Sequence, residues 1–162
     1  MILIEYVEPS VRAQICESIL RALPDWFAIE SALLKYVRES ADLPMFVAAD
    51  ATGPVGFITL QQHGPAAWEI HVIGVRPDHH RQGIGRRLLE EGEQWLRNQD
   101  AEFLTVKTLS ASAGYEPYER TRAFYLAAGF APLMELPTLW GPEDPCLVMI
   151  KPIGIRHLAH RL

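Results

Sequence analysis

The stretch that decides the fold is Pro77-Asp78-His79-His80-Arg81-Gln82-Gly83-Ile84-Gly85-Arg86-Arg87-Leu88-Leu89. It follows the apolar run of residues 70–75 and leads into an amphipathic segment, which predicts a strand, a basic turn with two glycines, and a helix. The first N–H groups of a helix have no partner inside the helix, so a turn that exposes them makes an anion site. Glycines there have no Cβ to hold a phosphate away, and the arginines add positive charge to an acidic chain. The stretch therefore predicts a site for a phosphate-bearing ligand, with a solvated strand-to-helix turn as the alternative.

Two familiar phosphate-binding motifs do not fit this turn. The dinucleotide fingerprint requires a third glycine three residues after Gly85, where the chain has Leu88. The P-loop requires Gly-Lys followed by Ser or Thr, which is absent from the turn. Both motifs are excluded.

The turn resembles instead the acetyl-CoA-binding motif of the GNAT superfamily of N-acetyltransferases. That motif is Arg or Gln, two residues, Gly, one residue, then Gly or Ala, and it follows a strand directly; this chain has His80 at the first position. Residues 121–130 resemble the second hallmark of the family, a helix that carries Phe-Tyr shortly before Gly-Phe. The resemblance implies acetyl-CoA as cosubstrate. It also implies these cofactor-binding residues: Ile73, Val75, Arg81, Gln82, Gly83, Ile84, Gly85 and Arg86.

The order of predicted elements indicates an α+β fold, a single GNAT-like domain in which helices flank a mixed central β-sheet on both faces. Residues 44–49, 55–60 and 67–75 are predicted to form neighbouring antiparallel strands. A helix then crosses over to a strand at 103–108, which implies a parallel pair. On that helix, Glu93 and Arg97 are expected to pair on a solvated back. We assign residues 1–153 to the domain and residues 154–162 to a short basic tail.

Composition narrows the class of protein. The chain has 162 residues, a length typical of one domain, and a formal net charge of −5, which argues against a nucleic-acid partner. No apolar run approaches the roughly 20 residues that span a bilayer, and the first residues lack a signal-peptide pattern. We therefore expect no membrane partner and a cytoplasmic protein. Cys16 and Cys146 are expected in the core, and the histidines show no metal-ligand spacing, so no metal is predicted.

Glu69 is the predicted general base. Acetylation needs a neutral amine, and a lysine-like amine is neutral in only about one part in a thousand near pH 7. Glu69 lies in an otherwise apolar strand, where a partly buried carboxylate accepts a proton more readily than an exposed one. The histone-acetylating branch of the family has a glutamate base at this spacing before the corresponding glycine. His71 is the reserve base, and an outward carboxylate on the sheet surface is the alternative for Glu69.

Tyr125 is the predicted general acid. Its place before Gly-Phe resembles that of the family tyrosine whose hydroxyl reaches the CoA sulfur, and a tyrosine that only packs its ring is the alternative. The family often has Asn seven residues earlier, in contact with the cofactor; here the position is Tyr118.

The expected function is transfer of the acetyl group of acetyl-CoA to a primary amine, on a small molecule or a peptide, by direct attack in a ternary complex. The alternative is a sensor or interaction domain of the same fold that binds acyl-CoA without turnover. The sequence leaves open which amine is the acceptor and whether the chain forms a homodimer. An acceptor pocket for a cation with an apolar body is expected from these acidic and aromatic residues: Glu69, Glu116, Glu119, Trp26, Phe27, Tyr115 and Trp140.

Overall fold

A computed structural model describes residues 1–154 of the chain. None of the helices in these residues combines the length and the apolar character needed to cross a membrane. The strands and α-helices, in chain order, are β1 (Leu3–Tyr6), α1 (Pro9–Arg21), α2 (Glu30–Ser40), β2 (Met45–Asp50), β3 (Gly53–Gln62), β4 (Ala67–Val75), α3 (Ile84–Asn98), β5 (Phe103–Leu109), α4 (Pro117–Ala127), β6 (Ala131–Leu136) and β7 (Cys146–Pro152).

The seven strands form one mixed sheet in the order β1-β2-β3-β4-β5-β7-β6. β4 and β5 are parallel because α3 connects them, and the other neighbouring pairs within residues 1–154 are antiparallel. The prediction of a mixed sheet with three consecutive antiparallel strands is confirmed. The basic tail predicted for residues 154–162 lies, apart from Gly154, outside the described residues.

Helices cover both faces of the sheet, as predicted, and each face has its own apolar core. α3 and α4 pack on one face, with these buried side chains at the centre: Ile58, Leu60, Ile70, Leu88, Leu96, Leu104 and Tyr125. α1 and α2 pack on the other face, around these buried side chains: Cys16, Ile19, Leu20, Leu33, Met45, Phe57 and Val72. Cys16 and Cys146 are both fully buried, as expected for small apolar residues.

The expected solvated back of α3 is wrong at Glu93. Only 4% of Glu93 is exposed, and its carboxylate lies 2.7 Å from Lys151 Nζ and 3.5 Å from an Arg97 nitrogen. The pairing with Arg97 therefore exists, but Lys151 comes from β7, far along the chain. Helical periodicity cannot show a partner from a distant strand, which is why the pattern placed this carboxylate in solvent.

The sheet opens between β4 and β5, and this opening positions the site. Their parallel pairing ends where Ile70 faces Val106. Beyond that point β4 continues beside β3 as far as Val75, and β5 continues beside β7 as far as Leu109. The facing edges of the two strands are therefore free of each other at their carboxyl ends, where backbone groups can serve a ligand.

A β-bulge at His71 marks the start of this opening. On β3, Leu60 pairs with Ile70 and Thr59 pairs with Val72, so His71 is the extra residue of β4. Ile70 belongs to the core under α3, whereas Val72 belongs to the core under α1 and α2. In a regular strand Ile70 and Val72 would point to the same face of the sheet. Because the bulge adds His71, they point to opposite faces.

Candidate active site

The turn between β4 and α3 has the backbone of an anion site. After one turn of 3-10 helix at Pro77–His79, Arg81 has φ 62° and Gly83 has φ 75°, and α3 begins at Ile84. Left-handed residues beside right-handed ones gather successive N–H groups into a concavity that binds anions. A Cβ built on Gly83 would meet no atom within 4 Å, so space lies open above the turn. Arg81 has no glycine-like freedom, and its conformation costs about 1–3 kcal/mol, a strain typical of ligand-binding turns.

A cleft of about 540 Å³ runs from this turn into the opening between β4 and β5. Seven of the predicted cofactor-binding residues line it: Ile73, Val75, Arg81, Gly83, Ile84, Gly85 and Arg86. Gln82 does not line the cleft, and its side-chain Nε2 donates to the Asp78 carbonyl at 3.4 Å. The structure therefore brings most of the predicted cofactor site to one cavity.

His80, the residue that departs from the family motif, points back to the end of β4. Its Nε2 lies 2.6 Å from the Val75 carbonyl oxygen, and its ring meets the Trp26 ring edge-on with centroids 6.0 Å apart. The side chain thus ties the turn to both the strand and the α1–α2 connection.

Tyr125 lines the cleft from α4 and is 3% exposed. Its ring packs edge-on against Phe124 and Phe130, with centroid distances of 5.3 and 5.4 Å. Burial raises the pKa of the Tyr125 hydroxyl above its ordinary value of 10.0, with a smaller contribution from neighbouring tyrosines. The hydroxyl therefore keeps its proton at neutral pH and can act as a donor in the cleft.

Glu69 is 6% exposed and does not line the cleft. Its two carboxylate oxygens have one basic partner each: Lys107 Nζ lies 2.5 Å from Oε2, and His63 Nε2 lies 2.8 Å from Oε1. Lys107, on β5, does line the cleft. The carboxylate predicted as the base thus lies off the cleft wall, whereas its lysine partner lies on it.

His71 reaches the cleft directly. Burial lowers the pKa of its imidazole below 6.5, against the opposing effect of the nearby Glu39 and Glu69 carboxylates. Its Nε2 lies 2.7 Å from Glu39 Oε2, within ion-pair distance, although this nitrogen has no aligned hydrogen-bond partner among residues 1–154. The Tyr36 ring meets the imidazole edge-on at 5.3 Å. Burial therefore favours the neutral form of His71, which lies between α2 and the cleft.

The connection between α1 and α2 closes over the cleft and is fixed to the α4 region by hydrogen bonds. Trp26 Nε1 donates to Thr121 Oγ1 at 3.1 Å, and the Tyr118 hydroxyl donates to the Trp26 carbonyl at 3.3 Å. The Tyr115 hydroxyl donates to the Asp25 carbonyl at 2.8 Å. We call residues 25–27 the roof. Tyr118, at the position where the family often has Asn, uses its hydroxyl to hold this roof.

The expected acceptor pocket is only partly right. Three of its aromatic residues, Trp26, Phe27 and Trp140, line the cleft, but none of its carboxylates does. Glu116 and Glu119 lie on the exposed side of the α4 region. Their helical positions face solvent, which a list of residue types without a helix orientation cannot reveal.

A comparison with protein-family models assigns the chain to a family. A family model described as the acetyltransferase (GNAT) family matches residues 12–130, well over half of the chain. The chain belongs to the GNAT acetyltransferase family. A comparison with curated proteins gives no match.

Solved structures agree with this GNAT assignment at the level of the fold. A GNAT-family protein from Desulfovibrio desulfuricans superposes with a TM-score of 0.80 at 18% identity, covering 95% of this chain and 100% of that one. An aminoglycoside 6'-N-acetyltransferase complexed with coenzyme A gives 0.73 at 22% identity, with 93% and 97% coverage. The ribosomal-protein-S18-alanine N-acetyltransferase from Escherichia coli gives 0.73 at 21% identity, with 96% coverage of both chains.

The GNAT family uses acetyl-CoA, and the residues of this member fit that cosubstrate. A diphosphate matches the left-handed turn at Arg81 and Gly83, with the start of α3 behind it. An extended pantetheine arm matches the opening beside β4, where the strand edge has lost its neighbour beyond Ile70. The prediction of acetyl-CoA is confirmed at the level of the family.

Sequence reasoning missed two charged residues of this GNAT site, Lys107 and Glu39. A signal existed for Lys107, because a lysine inside the run Thr105-Val106-Lys107-Thr108 of a central strand needs an anionic partner. The parallel register of β4 and β5 brings it to Glu69. Glu39 gave no such signal, since it lies at the end of an amphipathic helix among other charges.

Proposed function

We propose that this GNAT acetyltransferase transfers the acetyl group of acetyl-CoA to a primary amine by direct attack within a ternary complex. One observation carries the proposal: a single cleft is lined by the left-handed turn at Arg81 and Gly83, by Tyr125 and by His71. The thioester supplies an activated acetyl group, whose carbonyl carbon the amine nitrogen attacks. Both cysteines are free and buried, which suits the reducing cytoplasm where we place the enzyme.

Cofactor binding falls to the turn and the free edge of β4. We assign the diphosphate to the backbone N–H groups from Arg81 to Arg86, Gln82 and Ile84 included, and to the guanidinium groups at both ends of that segment. Gly83 and Gly85 let the backbone approach it closely. Ile73 and Val75 offer backbone groups to the pantetheine arm, where the edge of β4 is unpaired. These residues bind and orient the thioester without taking part in proton transfer.

Proton removal from the amine is assigned to His71. His71 lines the cleft, and burial favours its neutral form, in which a ring nitrogen can accept the amine proton. Glu69 and Glu39 both favour the protonated imidazole electrostatically. In this proposal Glu69, named above as the base, stabilises the imidazolium and positions Lys107 instead of touching the amine.

Proton supply to the departing thiolate is assigned to Tyr125. Burial keeps its hydroxyl protonated, and its packing between Phe124 and Phe130 fixes the ring. The Oη proton passes to the sulfur as the C–S bond breaks. After product release the tyrosinate recovers a proton from solvent and the His71 imidazolium gives up the amine proton to solvent, so both groups return to their starting states.

The test is thiol release from acetyl-CoA with a panel of primary amines, together with thermal unfolding. Acetyl-CoA should raise the Tm with the logarithm of its concentration. Gly83→Glu should abolish that rise, because it puts bulk and negative charge beside the diphosphate. Gly114→Glu is the matched control: Gly114 is also left-handed, at φ 66°, with no atom near a built Cβ, but lies outside the cleft. A Tm rise without thiol release for any amine would identify a binding domain without turnover.

A further inference from the structure

Among residues 1–154, the charged side chains of lysine, arginine, aspartate and glutamate that line the cleft are all of positive sign. The wall has four permanently cationic side chains and, within residues 1–154, no carboxylate; the cations are Arg81, Arg86, Lys107 and Arg120. Arg81 and Arg86 belong to the turn assigned to the diphosphate. Lys107 stands apart from them on β5, beside the reactive end that His71 and Tyr125 define. Arg120, on α4, has a mostly exposed side chain 3.9 Å from the Glu116 carboxylate. Lys107 is thus the cation beside the reactive end.

Lys107 also occupies the carboxylate that would otherwise receive an ammonium group. Its Nζ lies 2.5 Å from Glu69 Oε2, and His63 Nε2 covers the other oxygen at 2.8 Å. Glu39, the next carboxylate in the neighbourhood, has Oε2 at 2.7 Å from His71 Nε2. Among residues 1–154 neither Glu69 nor Glu39 lines the cleft. An acceptor with several ammonium groups would therefore find no carboxylate on the cleft wall and would meet the partly exposed Lys107 side chain there.

The cleft wall also has aromatic side chains that come from outside the phosphate turn. Trp26 and Phe27 come from the roof, Tyr36 from α2 and Trp140 from the segment before β7. Such rings provide apolar contact area and can hold one cation over a face, but they give no specific partner to a second or third ammonium group.

We propose that Lys107 is a specificity-determining residue that excludes polycationic acceptors, and that the acceptor is a primary amine on an aromatic or apolar body without a second cationic group. The inference rests on the proposed function and names its substrate class. Rejection through a like charge is a recognised way to separate similar ligands, because it weakens the wrong one without changing the right one.

The experiment compares kcat/KM of the full chain for tyramine, an aromatic monoamine, with kcat/KM for spermidine and kanamycin. We expect tyramine to be preferred by at least about a hundredfold. Lys107→Met should narrow the ratio at least about tenfold, chiefly by lowering KM for the polycations, since like-charge rejection is lost. Lys107→Arg should keep the ratio, because it keeps the charge.

Lys151→Met is the matched control. Its Nζ lies 2.7 Å from the buried Glu93 carboxylate, so it removes the same kind of ion pair, but Lys151 does not line the cleft. The ratio should not change in this variant. Should Lys107→Met not fold, as judged by its unfolding curve, ionic strength takes its place: salt screens like charges, so raising it should narrow the ratio in the parent protein.

The outcomes separate the two proposals. A parent enzyme that prefers spermidine or kanamycin, or a Lys107→Met variant that changes all substrates equally, overturns the role of Lys107 and leaves the proposed function standing. A salt-independent ratio does the same. Failure to acetylate any amine, with acetyl-CoA still raising the Tm, overturns the proposed function itself, and the inference falls with it.

Discussion

His71 lines the cleft and burial lowers the pKa of its imidazole, so at the scale of single residues it is the first side chain to replace. His71→Gln should lower kcat/KM for the amine by about 10²- to 10⁴-fold near pH 7, where the neutral amine is scarce. The deficit should shrink toward pH 10, because the amine then loses its proton without a base. Because burial lowers the pKa of His71, the base form is already present at neutral pH. The measurement is kcat/KM against pH from 6 to 10.

Glu69→Gln is the comparison for this profile. If Glu69 acts only by stabilising the imidazolium and by holding Lys107, its replacement should give a smaller deficit than that of His71→Gln. The opposite ranking, with the Glu69→Gln deficit larger and vanishing at high pH, would make Glu69 the base and His71 an orienting group.

Tyr125→Phe tests the acid. The substitution removes one oxygen and keeps the ring that packs against Phe124 and Phe130. Turnover should fall by about ten- to a thousandfold, while the Kd for acetyl-CoA stays within a few fold, because the hydroxyl acts on the departing sulfur and not on binding. Single-turnover kinetics measure the rate of acetyl transfer, and titration with acetyl-CoA measures its Kd. Equal losses in both would indicate a packing role.

At the scale of elements, His79 links the β2–β3 hairpin to the phosphate turn. Its Nε2 lies 3.0 Å from Asp50 and its Nδ1 3.0 Å from Asp78. The Asp78 and Asp50 carboxylates raise the pKa of His79 above 6.5, and hydrogen bonds from Thr52, with His79 next, lower the pKa of Asp50 from 3.8 to about 2. Because the pKa of His79 is raised, the protonated imidazole stabilises the link fully below pH 6.5, and this stabilisation is lost as pH rises through the folded-state pKa. Because the pKa of Asp50 is lowered, the ionised carboxylate stabilises the link fully above pH 3.8, and this stabilisation is lost as pH falls toward about 2.

The opposite pKa shifts of His79 and Asp50 together predict a pH range in which the link stabilises the fold most. The Tm difference between the parent and a His79→Asn variant should be largest between about pH 4 and 6.5, and should decline on both sides. Because Asp78 is exposed and His79 and Asp50 are only partly buried, the effect should also weaken with salt. A Tm difference that is independent of pH would show that His79 acts through shape alone.

The elements themselves could largely be predicted from the sequence, and the reason is local. The turn around Gly83 has its own signature, and Gly129, with φ 99°, ends its helix in the left-handed conformation that its position predicted. The bulge at His71 could not be predicted, because it depends on the register of β4 against β3. Alternation along one strand gives no information on an extra residue relative to its neighbour.

At the scale of the whole molecule, the site depends on partners that only the assembled sheet brings together. Lys107 meets Glu69 across the parallel pair, and Glu39 meets His71 from a helix on one face. Motifs could therefore predict that the basic turn and Tyr125 belong to one site, because their signals are contiguous, and both line the cleft. Motifs could not predict the charged groups around His71. Those charges are set by contacts between elements distant in sequence.

The roof also depends on contacts between elements distant in sequence, because it connects the helices on the two faces of the sheet. Trp26 follows α1, which packs on one face, and Thr121 lies on α4, which packs on the other; their side chains share a hydrogen bond of 3.1 Å. A bond of this kind contributes about 0.5–1.5 kcal/mol net, or about two- to twelvefold in a rate constant. Trp26→Phe and Thr121→Val should each speed dissociation of CoA by that factor, since each removes one end of the bond.

The double variant decides whether the bond is what closes the cleft. If it is, Trp26→Phe combined with Thr121→Val should dissociate CoA no faster than either single variant, because one bond cannot be lost twice. Hydrolysis of acetyl-CoA without an acceptor should rise in parallel, since an opened roof admits water to the thioester. Stopped-flow displacement of CoA and thiol release without amine measure the two rates. Additive effects would show that the two side chains act separately, and that the roof is held by Tyr118 and Tyr115 instead.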